Sequence, residues 1–211
     1  MYIDWSDIIM KIKKIGVMGG TFNPIHIGHL MIAEQSRKKF NLDKVIFIPT
    51  GSPPHKDERK LANSLDRYIM TILATSNNNN FIVSDIETNR DGTSYTVDTL
   101  ELLSKKYNDS ELFFITGADS ILDIENWRDT DRLLNICTFI AATRPGYNVD
   151  NVMDEIKKLE EKYNKKISYL TIAPIDISST QIRKRIFKNE TIKYMTPDPV
   201  INYIYNKNLY K

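Results

Sequence analysis

Six short apolar runs of β-forming residues, each separated from the next by a polar or helically periodic stretch, constrain this chain more than any other feature. They fall at residues 15–18, 45–48, 81–86, 112–116, 138–142 and 169–172. Apolar runs of this length without polar alternation read as strands buried on both faces. Between them, Leu65, Ile69, Ile72 and Leu73, then Val97, Leu100, Leu103 and Tyr107, then Val152, Ile156, Leu159 and Tyr163 recur at helical spacing,. Regular alternation of this kind predicts an α/β fold: a single Rossmann-like domain with a mostly parallel sheet and helices on both faces. Ligands of such sheets gather beyond the carboxyl ends of the strands, so the residues that follow each run are where chemistry is expected. A chain of 211 residues suits one core, and one domain over 1–211 is expected. Met10 directly precedes KIKKIGVMGG, so residues 1–9, or the wider stretch 1–12, read as an N-terminal extension of that domain.

Lys and Arg number 29 against 27 Asp and Glu, a net charge of +2. No general field draws such a protein onto nucleic acid or an anionic membrane, and any polyanion must be held by a few local cations. Cys137 is the only cysteine, which excludes an intramolecular disulfide or a cysteine metal cluster and fits a reducing cytoplasm. No stretch approaches the ~18 apolar residues of a membrane span, and the N-terminus has no secretory signal pattern. The three histidines, His26, His29 and His55, all lie within the first 55 residues of the chain.

The segment GGTFNPIHIGHL, residues 19–30, follows the first strand and opens a helix. Gly19 and Gly20 allow a sharp turn and a close ligand, and the helix start beyond them offers N–H groups and a positive dipole end to an anion. Neither the G-x-G-x-x-G dinucleotide fingerprint nor the phosphate loop G-x-x-x-x-G-K-[ST] occurs in the chain, which disfavours a nicotinamide-dependent dehydrogenase and a loop NTPase,. His26 and His29, three apart, can share a helix face and meet adjacent phosphate oxygens. A capping residue beside a core histidine would give the same spacing. Near the other end, Ser178-Ser179-Thr180-Gln181-Ile182-Arg183 reads as a capped helix in which Ser178 or Ser179 caps, Ile182 and Ile186 face the core and Arg183 projects a fork suited to phosphate,. Asp198-Pro199 reads as the cap and first residue of a last helix.

G-G-T-F-x-P-x-H-x-G-H resembles the signature of the H-x-G-H nucleotidyltransferase superfamily, and S-S-T-x-I-R resembles its second element. The residues between them are similar to the bacterial nicotinate mononucleotide adenylyltransferases: PTGSPPHK at 49–56, Asp66-Arg67, GTSYTVDTL at 92–100, FFITGADS at 113–120, Trp127, Arg144-Pro145-Gly146, and a tail with Tyr203, Ile204, Leu209 and Tyr210. The resemblance implies adenylyl transfer from ATP to nicotinate mononucleotide, giving nicotinate adenine dinucleotide and pyrophosphate. By the same resemblance His26, His29 and Arg183 are the catalytic groups on the ATP phosphates. Gly19, Gly20, Thr21, Phe22, Gly117, Asp119, Ser178, Ser179 and Thr180 border ATP. His55, Lys56, Tyr95, Thr96, Trp127, Arg128 and Arg144 serve the mononucleotide, with Trp127 stacked on the pyridine ring and backbone amides near Trp127 and Arg128 receiving its carboxylate. Mg²⁺ arrives on the triphosphate, with no dedicated protein metal site.

The chain departs from the family at Asn23, where many members carry Asp, at Gly51, where Asn or Gln is common nearby, and at Arg128, where an aromatic residue often follows the tryptophan. An acceptor other than nicotinate mononucleotide, such as nicotinamide mononucleotide or phosphopantetheine, keeps the same chemistry; a non-catalytic nucleotide sensor keeps only the fold. The charged helical stretch 148–166 presents a face for solvent or for contacts between copies in a homo-oligomer.

Overall fold

A computed structural model of the chain describes residues 12–53, 61–143, 149–173 and 175–211. The expected extension lies almost wholly outside them, as do His55, Lys56 and Arg144. Six strands, β1 (Lys14–Gly20), β2 (Lys44–Pro49), β3 (Phe81–Val83), β4 (Glu111–Gly117), β5 (Thr138–Thr143) and β6 (Ile167–Thr171), form one parallel sheet in the order β3-β2-β1-β4-β5-β6. Every expected apolar run contributes a strand to it. The third is shorter than its run: Asn89 N–H bonds back to Asp85 O at 2.9 Å, so the chain is already turning where the run 81–86 would continue the strand.

Consecutive residues of each central strand feed two separate cores, which is why these strands carry no polar alternation. Ile15 and Val17, Ile46 and Ile48, and Leu112 and Phe114 join one core with Val97, Leu100 and Leu103 of α3 (Thr96–Lys106) and Val152, Ile156 and Leu159 of α6 (Val149–Tyr163). Val45 and Phe47, with Phe113 and Ile115, join the other, with Ala33 of α1 (Ile27–Lys39), Met70 and Ala74 of α2 (Ser64–Thr75), Ile182 and Ile186 of α7 (Ser179–Phe187), and Val200 and Ile204 of α8 (Asp198–Asn206). Burying each such side chain contributes about 1.5–3 kcal/mol, set against the entropy of ordering it.

Two local expectations are corrected. Helix α2 turns the other way: Leu65 and Ile72 are 62% and 39% exposed, while Asp66, Arg67, Met70, Thr71 and Ala74 are buried. The apolar stripe lost to a face whose polar groups have partners inside the protein. The last helix starts at Asp198 with Pro197 as its cap, so Asp198 is the first residue and not the cap. Two short helices, α4 (Ala118–Leu122) and α5 (Thr130–Ile136), were not legible from periodicity because each spans two turns or less. A 3-10 turn at Ile124–Asn126 joins them.

The sheet places the site. β1 pairs with β2 up to Gly20↔Pro49, and β4 pairs with β5 up to Gly117↔Ala142, yet β1 and β4 stop pairing at Val17↔Phe114. The last three residues of each strand therefore part from one another while staying attached to their outer neighbours. This is the position where the strand order reverses direction, and a crevice opens there at the carboxyl ends.

Candidate active site

A cavity of about 750 Å³ fills that crevice, a size suited to a mononucleotide. Gly19 and Gly20 at the end of β1, Thr21 just beyond it, Thr50 after β2, Thr116 at the end of β4, and Tyr95, Thr96 and Thr99 at the start of α3 line it, together with Trp127 and Arg128 on the loop before α5. Thr116 and Ser120 line it where Gly117 and Asp119 do not, so those two residues flank the cavity.

The histidines lie at the N-terminus of α1. His26 is the cap residue, with extended backbone (φ −146°, ψ 170°), and is only 6% exposed. Its backbone N–H donates to Nδ1 of His29 at 3.2 Å, and the two rings stack with centroids 3.7 Å apart. The acceptor role of Nδ1 leaves Nε2 as the nitrogen that carries the proton of a neutral His29 ring, so His29 presents one N–H donor away from its own helix cap. Gly28 leaves room for the His26 ring: a Cβ there would sit 3.1 Å from its Cε1 and Nδ1, tighter than an ordinary contact. Phe22, in the left-handed region at φ 46°, is buried and sets its ring edge-on to His29 at 5.1 Å. It braces the pair instead of lining the cavity.

The second signature meets the first. Ser178 caps α7 by accepting from Gln181 N–H at 3.1 Å. Ser179 Oγ donates to Pro24 O at 2.9 Å, and Arg183 Nη1 donates to Asn23 O at 2.8 Å, with Nη2 3.2 Å from Thr180 Oγ1. Two motifs some 155–160 residues apart are thus fastened to one loop, the Asn23–Pro24 segment, whose connecting peptide is cis. Ser178 and Thr180 also line a shallow groove with Lys184 and Lys188 on the outer side of α7.

Sequence reasoning gave no role to several buried polar residues that shape the site. Arg67 is 2% exposed, and its guanidinium donates to Ala62 O at 3.0 Å, Thr21 O at 2.8 Å and Gly51 O at 2.8 Å, tying the loops after β1 and β2 to the start of α2. The signal available was a charged pair, Asp66-Arg67, inside an otherwise uncharged helix. Asn23 Oδ1 accepts from Ala62 N–H at 3.0 Å and from Tyr210 O–H at 2.8 Å. Loss of solvent pushes the Tyr210 hydroxyl pKa far up, so it stays a donor.

Glu87 is a buried carboxyl on the cavity wall, accepting from Thr99 Oγ1 at 2.7 Å. Gly51 passes so close to the Glu87 carbonyl that a Cβ at 51 would lie 2.2 Å from it. Burial raises the Glu87 pKa, opposed by the Thr99 hydrogen bond and the Arg90 charge. A carboxyl that holds its proton more tightly folded than unfolded contributes most stability in acid. That contribution declines as pH rises from the ordinary carboxylate range through the raised value. The difference in Tm between Glu87→Gln and wild type should therefore move in the variant's favour as pH rises through that window; a constant difference contradicts it.

At the far end of the cavity, Trp127 is half-buried and meets Phe114 at 6.1 Å with the rings near perpendicular. Its backbone N–H donates to Ile124 O at 3.0 Å, closing the 3-10 turn. Tyr95 is the cap residue of α3, and the Arg128 guanidinium lies 4.6 Å from the Tyr95 ring centroid. Among the described residues no group of three or more His, Cys, Asp or Glu could hold a metal ion, and no helix is long and apolar enough to cross a membrane.

A split parallel sheet with a histidine-capped helix and an Arg-bearing helix at its crevice defines a class of nucleotide-handling proteins, and comparison places this chain within it: it belongs to the cytidylyltransferase-like family, whose model matches residues 17–185. Within that family it groups with the nicotinate-nucleotide adenylyltransferases. It is 48% identical over 199 residues, 94% of each chain, to a protein of Thermoanaerobacter sp. (strain X514) named "Probable nicotinate-nucleotide adenylyltransferase". A protein of the same name from Moorella thermoacetica is 44% identical over 206 residues, 97% of this chain and 95% of that one. Among solved structures, the Plasmodium falciparum nicotinic acid mononucleotide adenylyltransferase complexed with NaAD superposes with a TM-score of 0.75 at 22% identity, covering 94% of this chain and 97% of that one. At that identity the likeness bears on the fold.

Proposed function

We propose that this protein transfers the adenylyl group of ATP to nicotinate mononucleotide, releasing pyrophosphate. The observation that carries this reading is the fastening of both signature helices to one loop, with Arg183 and Ser179 of α7 bonded to the carbonyls of Asn23 and Pro24 just ahead of the stacked histidines. The arrangement gathers donors of positive character where a triphosphate would be held, beside a cavity large enough for the acceptor.

The acceptor's phosphate oxygen is already anionic, so it attacks the α-phosphorus without a general base. A new P–O bond forms in line with the breaking bond to the β-phosphate oxygen, and pyrophosphate leaves with the electron pair. The protein's part is alignment and charge neutralisation. His29 donates through Nε2, Arg183 contributes its fork, and the N-terminus of α1 adds its dipole. Gly19, Gly20 and Thr21 let backbone approach the nucleotide, with Gly117, Asp119 and the 178–180 segment around it. Mg²⁺ enters as part of the ATP substrate, carried mainly by phosphate and water oxygens.

Pyrophosphate release measured across a panel of mononucleotides tests the reading. Turnover with nicotinate mononucleotide is expected, whereas ATP binding with no pyrophosphate release on any acceptor would indicate a nucleotide sensor. Trp127 should stack on the acceptor ring. Trp127→Ala should raise KM for the mononucleotide about 10- to 100-fold, as the loss of one aromatic–base stack of ~1–3 kcal/mol implies. KM for ATP should change little; the reverse pattern would move Trp127 out of the pyridine site.

A further inference from the structure

We infer that the side chain of Arg128 is the group that distinguishes a pyridine carboxylate from the corresponding amide, and so sets acceptor specificity; this rests on the proposed transfer to a pyridine mononucleotide. The cavity has two charged side chains among its described lining residues. Glu87 is occupied with Thr99, and Arg128 is the one cation among the described residues that line the cavity. Backbone alone offers less here than the family resemblance implies, because the Trp127 amide is already bonded to Ile124 O at 3.0 Å. The turn around it is braced again by Thr130 Oγ1, 2.7 Å from Ile124 O and 3.0 Å from Trp127 O. Freeing that amide for a ligand would mean opening the turn.

Arg128 is held in a different way. Its guanidinium lies over the Tyr95 ring, 4.6 Å from the centroid, on a half-exposed side chain that lines the cavity. Asp98 Oδ2 and Asp129 Oδ2 each lie 3.7 Å from its nitrogens, within ion-pair range but beyond hydrogen-bonding distance. The neighbouring Arg132 is engaged with Glu101 and, at 3.9 Å, with Asp129. Arg128 is therefore oriented by an aromatic face and two loose carboxylates, with its N–H edge not committed to a short bond with either. A substrate carboxylate at the pyridine end can take that edge with two charge-assisted hydrogen bonds and displace the Asp98 contact. An amide offers one oxygen and no charge, and turns its own N–H donors toward a group that only donates.

The test is the ratio of kcat/KM for nicotinate mononucleotide to that for nicotinamide mononucleotide, in which any loss of folded enzyme cancels. Wild type is expected to favour the acid. Arg128→Gln should lower the ratio about 10- to 100-fold, the span of one hydrogen-bonded charge pair. Arg128→Lys should recover part of it by restoring charge without the fork, and Asp98→Asn, by removing a competing carboxylate, should raise it. An unchanged ratio in Arg128→Gln, or a wild-type ratio at or below one, overturns the role of Arg128 and leaves adenylyl transfer standing. Wild-type enzyme that turns over neither mononucleotide overturns both.

Discussion

Replacing His29 by Ala is expected to slow pyrophosphate release about 10²–10³-fold, the usual consequence of deleting one preorganised donor to charge that develops in the transition state. The ring is fixed by three features: Nδ1 accepts the His26 backbone N–H at 3.2 Å, the His26 ring stacks on it, and Phe22 meets it edge-on. The same Nδ1 contact raises a competing explanation, since Ala also removes a helix cap. His29→Asn separates the two. Its amide oxygen stands near the place of Nδ1 and can keep the cap, while nothing occupies the place of Nε2. Both variants should lose turnover, with the thermal stability of the Asn variant closer to wild type. Activity retained in either one contradicts the donor role.

Arg67→Ala should cost about 3–5 kcal/mol of stability, from three lost hydrogen bonds at about 1 kcal/mol each and the cavity left by the side chain. For a chain of this length that lowers Tm by roughly 10 °C. The carbonyls it abandons belong to Thr21, Gly51 and Ala62, so the damage falls on the turns that flank the crevice as well as on the fold. Arg67→Lys keeps the charge but can reach fewer of the three carbonyls. It should fold and show a reduced kcat/KM. A Lys variant equal to wild type in both Tm and kinetics would show that the fork is not what ties these turns together.

The strands were readable because a parallel strand buried on both faces needs apolar residues at every position, and nothing else in a soluble domain asks for that so consistently. Helix α2 misled for a related reason. Hydrophobic spacing reports where apolar residues are, not which face finds partners, and here Arg67, Asp66 and Thr71 satisfy their polar groups inside while Leu65 faces outward. Helix α5 is preceded by Asp129 as its cap residue, in the left-handed region at φ 53° and with no capping bond from its side chain, so ordinary capping does not mark its start. At the site, the histidines and Arg183 were legible because short motifs carry them. Arg67, Glu87 and Asn23 were not, because Arg67 holds backbone carbonyls while Glu87 and Asn23 accept from donors on other segments, and such contacts exist only once distant segments meet.

That dependence on distant segments governs when the protein becomes competent. The loop at Asn23 is secured by Arg183, Tyr210 and, through Ile25 O, by Thr196 Oγ1 at 2.8 Å, partners 160, 187 and 171 residues away. Each is a contact of very long loop closure, the kind that forms late. The sheet can thus be complete, with its strands paired and the core on the α3 and α6 face buried, while the proposed phosphate site and the core that α7 and α8 close are still unassembled. In refolding experiments the recovery of burial should run ahead of the recovery of catalysis, with the interval set by the docking of the last two helices.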